Sequence, residues 1–127
     1  MSETRLSPEL RELIDHHLGT IDEIEVLLWL FARQGEHHSV SAVAAGLRKP
    51  ENAIRQHLPR LASNGFLARH ASEDRYSYSV SSEGSNAAIE ELARLYEERP
   101  VTLINALYER PSTSVRSFAD AFRIRKG

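Results

Sequence analysis

Apolar residues recur along this chain at helical spacing almost throughout, and at alternating spacing in one short stretch. Leu6, Leu10, Leu13, Ile14 and His17 or Leu18 recur at helical spacing, with Ser7, Pro8 and Glu9 at the start of the run. That predicts a first helix capped by Ser7, opened by Pro8 and favoured at its positive end by Glu9. Gly19 is expected to close it in a left-handed conformation. Thr20 and Glu23 have capping-box spacing, and the run behind them to Gln34 carries Ile21, Ile24, Val26, Leu27, Leu28, Trp29, Leu30 and Phe31. A helix apolar on most sides belongs at the centre of a core, so Trp29 is read as a core residue rather than a ligand platform. Gly35 ends this helix.

Glu36, His37 and His38 read as a short loop. Ser39 or Ser41 then caps a short helix with Val40, Val43, Ala44 and Leu47 inward, and its small residues Ala42, Ala44, Ala45 and Gly46 permit a close crossing by the next helix. Arg48 and Lys49 form the turn, and Pro50 pre-sets the first turn of that next helix. There Ile54, Leu58 and Leu61 recur at i, i+4 and i+7 and face the core, and Asn64 and Gly65 stop the helix. Pro59 lies inside this run; it removes a backbone donor and clashes one turn back, which predicts a kink after Arg55 or a short helix restarting near Pro59. Residues 66–70 and 76–80 are strand-like, Tyr76, Tyr78 and Val80 alternating with serines, with a polar turn at 71–75.

After the ribbon, Ser82, Glu83 and Gly84 begin a long helix to about Arg99, with Ala87, Ile89, Leu92, Ala93, Leu95 and Tyr96 as its apolar positions. Pro100 and Pro111 separate two more stripes: Val101, Leu103, Ile104, Leu107 and Tyr108, then Val115, Phe118, Ala119 and Phe122. Three stripes exceed what the preceding unit needs to complete its own core. They predict a dimer interface drawn from Leu92, Leu95, Tyr96, Leu103, Leu107, Tyr108, Val115, Phe118 and Phe122, against the simpler reading that the tail folds back on the first helix of its own subunit.

Length and composition fit this outline. A chain of 127 residues, 41% hydrophobic and 27% charged, is expected to fold as one domain: supporting helices in 6–34, the central unit in 39–80, and C-terminal helices in 82–127. Cysteine is absent, which excludes disulfides, thiolate metal sites and cysteine nucleophiles. There is no apolar leader and no run near the ~20 apolar residues that span a bilayer, so no membrane partner is expected and the expected location is cytoplasmic. The net charge of −2 conceals an uneven distribution: residues 1–36 carry −5, residues 37–72 carry +4 and residues 73–127 carry −1. Positive charge therefore collects on the central unit.

The pattern of Leu58, Leu61, Gly65, Phe66 and Leu67, a polar tip, then Tyr76, Tyr78, Val80, Glu83 and Gly84 resembles winged helix-turn-helix regulators, most closely the multiple-antibiotic-resistance regulator (MarR) type, over roughly residues 21–96. The resemblance implies a mostly α fold with a small β-wing: a winged helix-turn-helix with additional N- and C-terminal helices. It also implies that the helix after Pro50 enters the major groove of double-stranded DNA while the wing grips the backbone, a homodimer placing two such helices ~34–36 Å apart. With Ile54, Leu58 and Leu61 inward, Asn52, Arg55 and Gln56 are exposed and suit base edges. Ser39, Ser41, Arg48, Lys49, Arg60, Arg69 and Arg75 suit the backbone. The expected function is a sequence-specific DNA-binding transcription regulator. Acidic Glu51, Glu73 and Asp74, together with Pro59, favour the alternative of a winged-helix protein-interaction module without DNA binding.

The histidines (His16, His17, His37, His38, His57 and His70) lack metal-site spacing, and no nucleophile, phosphate loop or carboxylate pair stands out. No metal, cofactor or enzymatic activity is expected. A small-molecule effector near the dimer junction is compatible with the layout, but no residue pattern points to one.

Overall fold

The computed structural model describes residues 6–80 and 82–109. Its order is α1 (Pro8–His16), α2 (Ile21–Phe31), α3 (Val40–Leu47), α4 (Glu51–Ser63), β1 (Leu67–His70), β2 (Arg75–Tyr78), α5 (Glu83–Glu98) and α6 (Pro100–Glu109). This is the winged helix-turn-helix layout expected from the sequence.

The core is built around α2. Ile24, Val26, Leu27 and Leu30 have no exposed surface, and α3, α4 and β2 all pack on this helix. Its start is fixed twice: Thr20 Oγ1 accepts from the Glu23 N–H at 3.1 Å, and Glu23 Oε1 accepts from the Gly19 N–H at 2.7 Å. The reciprocal half of the capping box thus lands one residue upstream of the cap. Gly19 does not take the expected left-handed conformation; α1 closes through Leu18, whose N–H reaches the Leu13 carbonyl at 2.8 Å. Among the described residues the left-handed glycines are Gly35 and Gly65.

Ser39 caps α3, accepting from the Ala42 N–H at 3.1 Å. α3 and α4 pack on each other as the small residues of α3 suggested, and at Gly46 the close approach is made by Trp29 of α2, where a Cβ would stand 2.3 Å from the indole ring. Trp29 itself is half-buried against the core, with the Arg33 guanidinium 3.9 Å from the ring centroid and His38 edge-on at 4.7 Å. Arg48 makes the turn with φ +57°, and the Lys49 N–H bonds the Ala44 carbonyl at 3.0 Å. Pro50 is the N-cap of α4 rather than its first helical residue.

The helix does not end and restart near Pro59, because α4 runs as one continuous helix through it. The proline leaves the Arg55 carbonyl without its helical donor, at a cost of ~3 kcal/mol or more in a buried interior. Here both residues are exposed, so water can satisfy that carbonyl, while Ile54 and Leu58 before the proline and Leu61 after it hold the helix against the core. Gly65 (φ +92°) ends α4, with the Phe66 N–H on the Leu61 carbonyl at 3.0 Å and the Gly65 N–H on the Ala62 carbonyl at 3.1 Å.

β1 and β2 pair antiparallel with Leu67 opposite Tyr78 and Arg69 opposite Tyr76. The expected loop at 36–38 contributes to the same small sheet: His38 and Tyr76 exchange both backbone hydrogen bonds at 2.8 Å. Ser77 is buried too, its hydroxyl hydrogen-bonded to His70 Nε2 at 2.9 Å. Ser82 caps α5, and the buried alanine of that helix is Ala88, not Ala87. Ser7 ties α1 to α5, its N–H donating to Glu91 Oε2 at 3.2 Å. Among the described residues no helix is long and apolar enough to cross a membrane.

The packing at Gly46 makes a direct test. Gly46→Ala should lower unfolding free energy by about 1–3 kcal/mol through overpacking against Trp29. Gly84→Ala in α5, where an added Cβ meets nothing within 4 Å, should raise it by up to about 1 kcal/mol through helix propensity. Urea denaturation of both variants distinguishes the two effects.

Candidate nucleic-acid interface

Burying Ile54, Leu58 and Leu61 turns the opposite side of α4 outward. Glu51, Asn52, Arg55, Gln56, Pro59, Arg60 and Ser63 are all exposed. The three residues expected to meet base edges, Asn52, Arg55 and Gln56, therefore share one open surface. Beside it runs a groove between α4 and the wing, lined by Val40, Arg55, Pro59, Leu67, Arg69 and Tyr76 among others, with Asp74 also in its wall. Arg55 and Arg69 thus reach a common groove.

Most of the cations on this side are engaged within the chain. Arg55 Nη2 lies 3.3 Å from Glu51 Oε1, and the other Glu51 oxygen accepts from the Ser41 hydroxyl at 2.9 Å, linking the start of α3 to the exposed face of α4. Arg69 Nη2 meets Asp74 Oδ1 at 3.4 Å across the wing. Arg60 Nη1 meets Glu23 Oε2 at 3.2 Å, and that carboxylate is almost fully buried. Arg60 is thus the countercharge of a buried acid, which a sequence reading of surface charge does not reveal. Ser39 uses its hydroxyl on its own helix. Arg48 and Arg75 are exposed, and among the described residues neither has an acidic partner within 4 Å.

Lys49, expected on the DNA backbone, is drawn inward. Its Nζ sits 3.0 Å from Asp22 Oδ1 and 2.9 Å from Glu25 Oε1, while the Tyr96 hydroxyl donates to Glu25 Oε2 at 2.7 Å. The cluster fastens the helix-turn-helix corner to α2 and α5. Bonds to Glu25 and then Asp22 raise the Lys49 pKa. Burial pushes the Glu25 carboxyl up, but the Tyr96 hydroxyl and Lys49 outweigh it and hold the carboxyl below its ordinary value. The Tyr96 phenol is raised, first by its bond to Glu25 and then by burial.

At the base of the wing, His37 and His70 stack 3.7 Å apart with planes 10° from parallel. His37 Nδ1 lies 3.1 Å from Glu73 Oε1, and this bond draws the exposed Glu73 carboxyl below its ordinary range. Among the described residues no three acidic or histidine side chains come together to hold a metal ion.

The residues expected at a dimer interface fall into different places. Leu92 and Leu103 have no exposed surface, because they complete the core of their own chain. Leu95, Tyr96 and Leu107 are half-buried against that core. Tyr108 is 83% exposed, and it continues a stripe with Val101 (69%) and Ile104 (41%) on the outer side of α6. Val101 and Ile104 were absent from the expected interface set, although their spacing to Tyr108 at three and four residues is the signal that finds them. Val115, Phe118 and Phe122 lie outside the described residues.

No known protein-family profile matches the chain, and no curated protein matches it. Solved structures do. A variant of MepR from a multidrug-resistant Staphylococcus aureus clinical isolate is 16% identical, with TM-score 0.50 over 94% of this chain and 84% of that one. A second S. aureus MepR variant is 16% identical, with TM-score 0.50 over 98% of this chain and 87% of that one. MepR itself, a transcription regulator of the S. aureus multidrug efflux pump MepA, is 17% identical, with TM-score 0.48 over 93% and 87%. At these identities the two variants with TM-score 0.50 share the fold with this chain.

The Glu25 cluster carries a pH signature. A carboxyl whose folded pKa is depressed adds stability above its ordinary value of 4.5 and loses it as pH falls through the folded value. The raised Lys49 and Tyr96 add stability that is lost as pH rises through their folded values, beyond their ordinary 10.5 and 10.0. Glu25→Gln should therefore be less stable than wild type by about 1 kcal/mol at neutral pH. The gap should narrow below pH 4.5. Thermal unfolding at pH 7 and pH 3.5 checks both statements.

Proposed function

We propose that this chain is a sequence-specific regulator of transcription that binds double-stranded DNA as a homodimer. The observation that carries the reading is the outer face of α4, where Asn52, Arg55 and Gln56 stand exposed on a helix anchored by its other side. A base-reading helix needs both properties: side chains with the bidentate chemistry of base edges, and a rigid mount that fixes their register. Arg48 and Arg75 supply backbone contacts from the corner and the wing. Two copies pair through the outer stripe of α6, Val101, Ile104 and Tyr108, which the described residues of the same chain leave exposed in large part.

One observation favours a second reading. Lys49, Arg55, Arg60 and Arg69 all have acidic partners in their own chain. A surface that neutralises itself suits a winged-helix protein-interaction module. Salt dependence separates the two. A DNA binder releases counterions, so its log affinity should fall linearly with log salt, with a slope of about −0.9 per phosphate contact.

On duplexes selected from a random pool, Arg48→Ala should weaken all sequences alike and reduce the salt slope by about one per subunit. Arg55→Ala should lose about 1–3 kcal/mol on the preferred site and relax its sequence. Absence of salt-dependent binding to any duplex overturns the DNA reading. For the dimer, light scattering should give twice the chain mass for wild type and the single-chain mass for Ile104→Asp; a monomeric wild type ends that part of the proposal.

A further inference from the structure

Pro59 is the one apolar side chain among the exposed residues of α4, the others being Glu51, Asn52, Arg55, Gln56, Arg60 and Ser63. Because the helix is unbroken, its ring stands on the same side as Arg55 and Gln56, one turn further on. It also lines the groove toward the wing, among Val40, Ala62, Leu67 and Tyr76, with Arg55 and Arg69 in the same wall. Helix formation does not account for a proline here, since almost any other residue would serve α4 better. Its ring has no donor or acceptor and its nitrogen no hydrogen, so it meets a partner through apolar contact alone. In the major groove one base edge offers an apolar group: the C5-methyl of thymine.

We propose that Pro59 is a specificity-determining residue that packs on a thymine methyl group in the DNA major groove. The proposal rests on the DNA-binding reading. One helical turn advances ~5.4 Å, and base pairs are spaced ~3.4 Å apart. The thymine therefore lies about one to two base pairs from the base met by Arg55. Arg55 supplies hydrogen bonds at its own base, and Pro59 supplies the methyl contact that distinguishes a thymine from a cytosine at the neighbouring position.

The test uses the full chain. Binding duplexes are selected from a random pool, and each thymine of the selected site is then replaced singly by deoxyuridine, which removes only the methyl group. Wild type should lose about fourfold in affinity at one thymine per half-site, the effect of one buried methyl. Pro59→Ser, which regains a backbone donor and should be at least as helical by circular dichroism, should show no loss at that position. Uniform tolerance of deoxyuridine by wild type overturns the proposal, and so does an equal penalty in Pro59→Ser. A pool that yields no selected site overturns the DNA-binding reading itself, which keeps the two failures apart.

Discussion

Burial of Ile54, Leu58 and Leu61 against the central helix α2 is the contact that sets the geometry of the molecule. A helix of α4's length with so many charged and polar residues would not hold in water by propensity alone. Its inner stripe gives it a fixed rotation, and the rotation decides which side chains look outward. The same contact rescues the proline. Buried leucines on either side of Pro59 keep the helix going where the local rule favours a break. α2 meets the demand by being apolar on nearly every side, so α3, α4 and the wing can all rest on it.

Electrostatics then shape the outer surface. The sequence places positive charge on the central unit, and the fold returns acidic groups to meet it: Asp22 and Glu25 at Lys49, Glu23 at Arg60, Glu51 at Arg55 and Asp74 at Arg69. These pairs differ in kind. The Lys49 and Arg60 contacts hold elements together, one at the helix-turn-helix corner and one on a buried acid. The Arg55 and Arg69 contacts are exposed and exchange readily for a ligand's anions, since surface pairs contribute ~0–1 kcal/mol. Self-pairing of this sort lowers the general attraction of this surface to polyanions.

Much of this was legible in the sequence because it is local. Caps at Ser7, Thr20, Ser39 and Ser82, the stop at Gly65 and the inward triad of α4 are written in residues a few positions apart, and the structure carries each of them. What escaped depends on distant partners. Nothing near Lys49 announces Asp22, 27 positions away. A single bridging residue such as His38 has no periodicity to detect, and neither has the burial of Ser77 against His70 of the other strand. In α6 the apolar stripe is wide enough to cover two faces. Periodicity alone could not say that Leu103 closes the core while Ile104, its neighbour, faces out. The residues on the outer face of α4 were legible for the same local reason, since knowing the inward side fixes the outward one.

Arg48 sits at the corner with a left-handed backbone that glycine adopts at no steric cost and arginine adopts at ~1 kcal/mol or more. Glycine there would relax the turn and remove an exposed guanidinium from the corner between α3 and α4. Selection for heat resistance alone would drift toward glycine at this position. Retention of arginine under that selection would record a demand on its side chain that backbone stability does not explain.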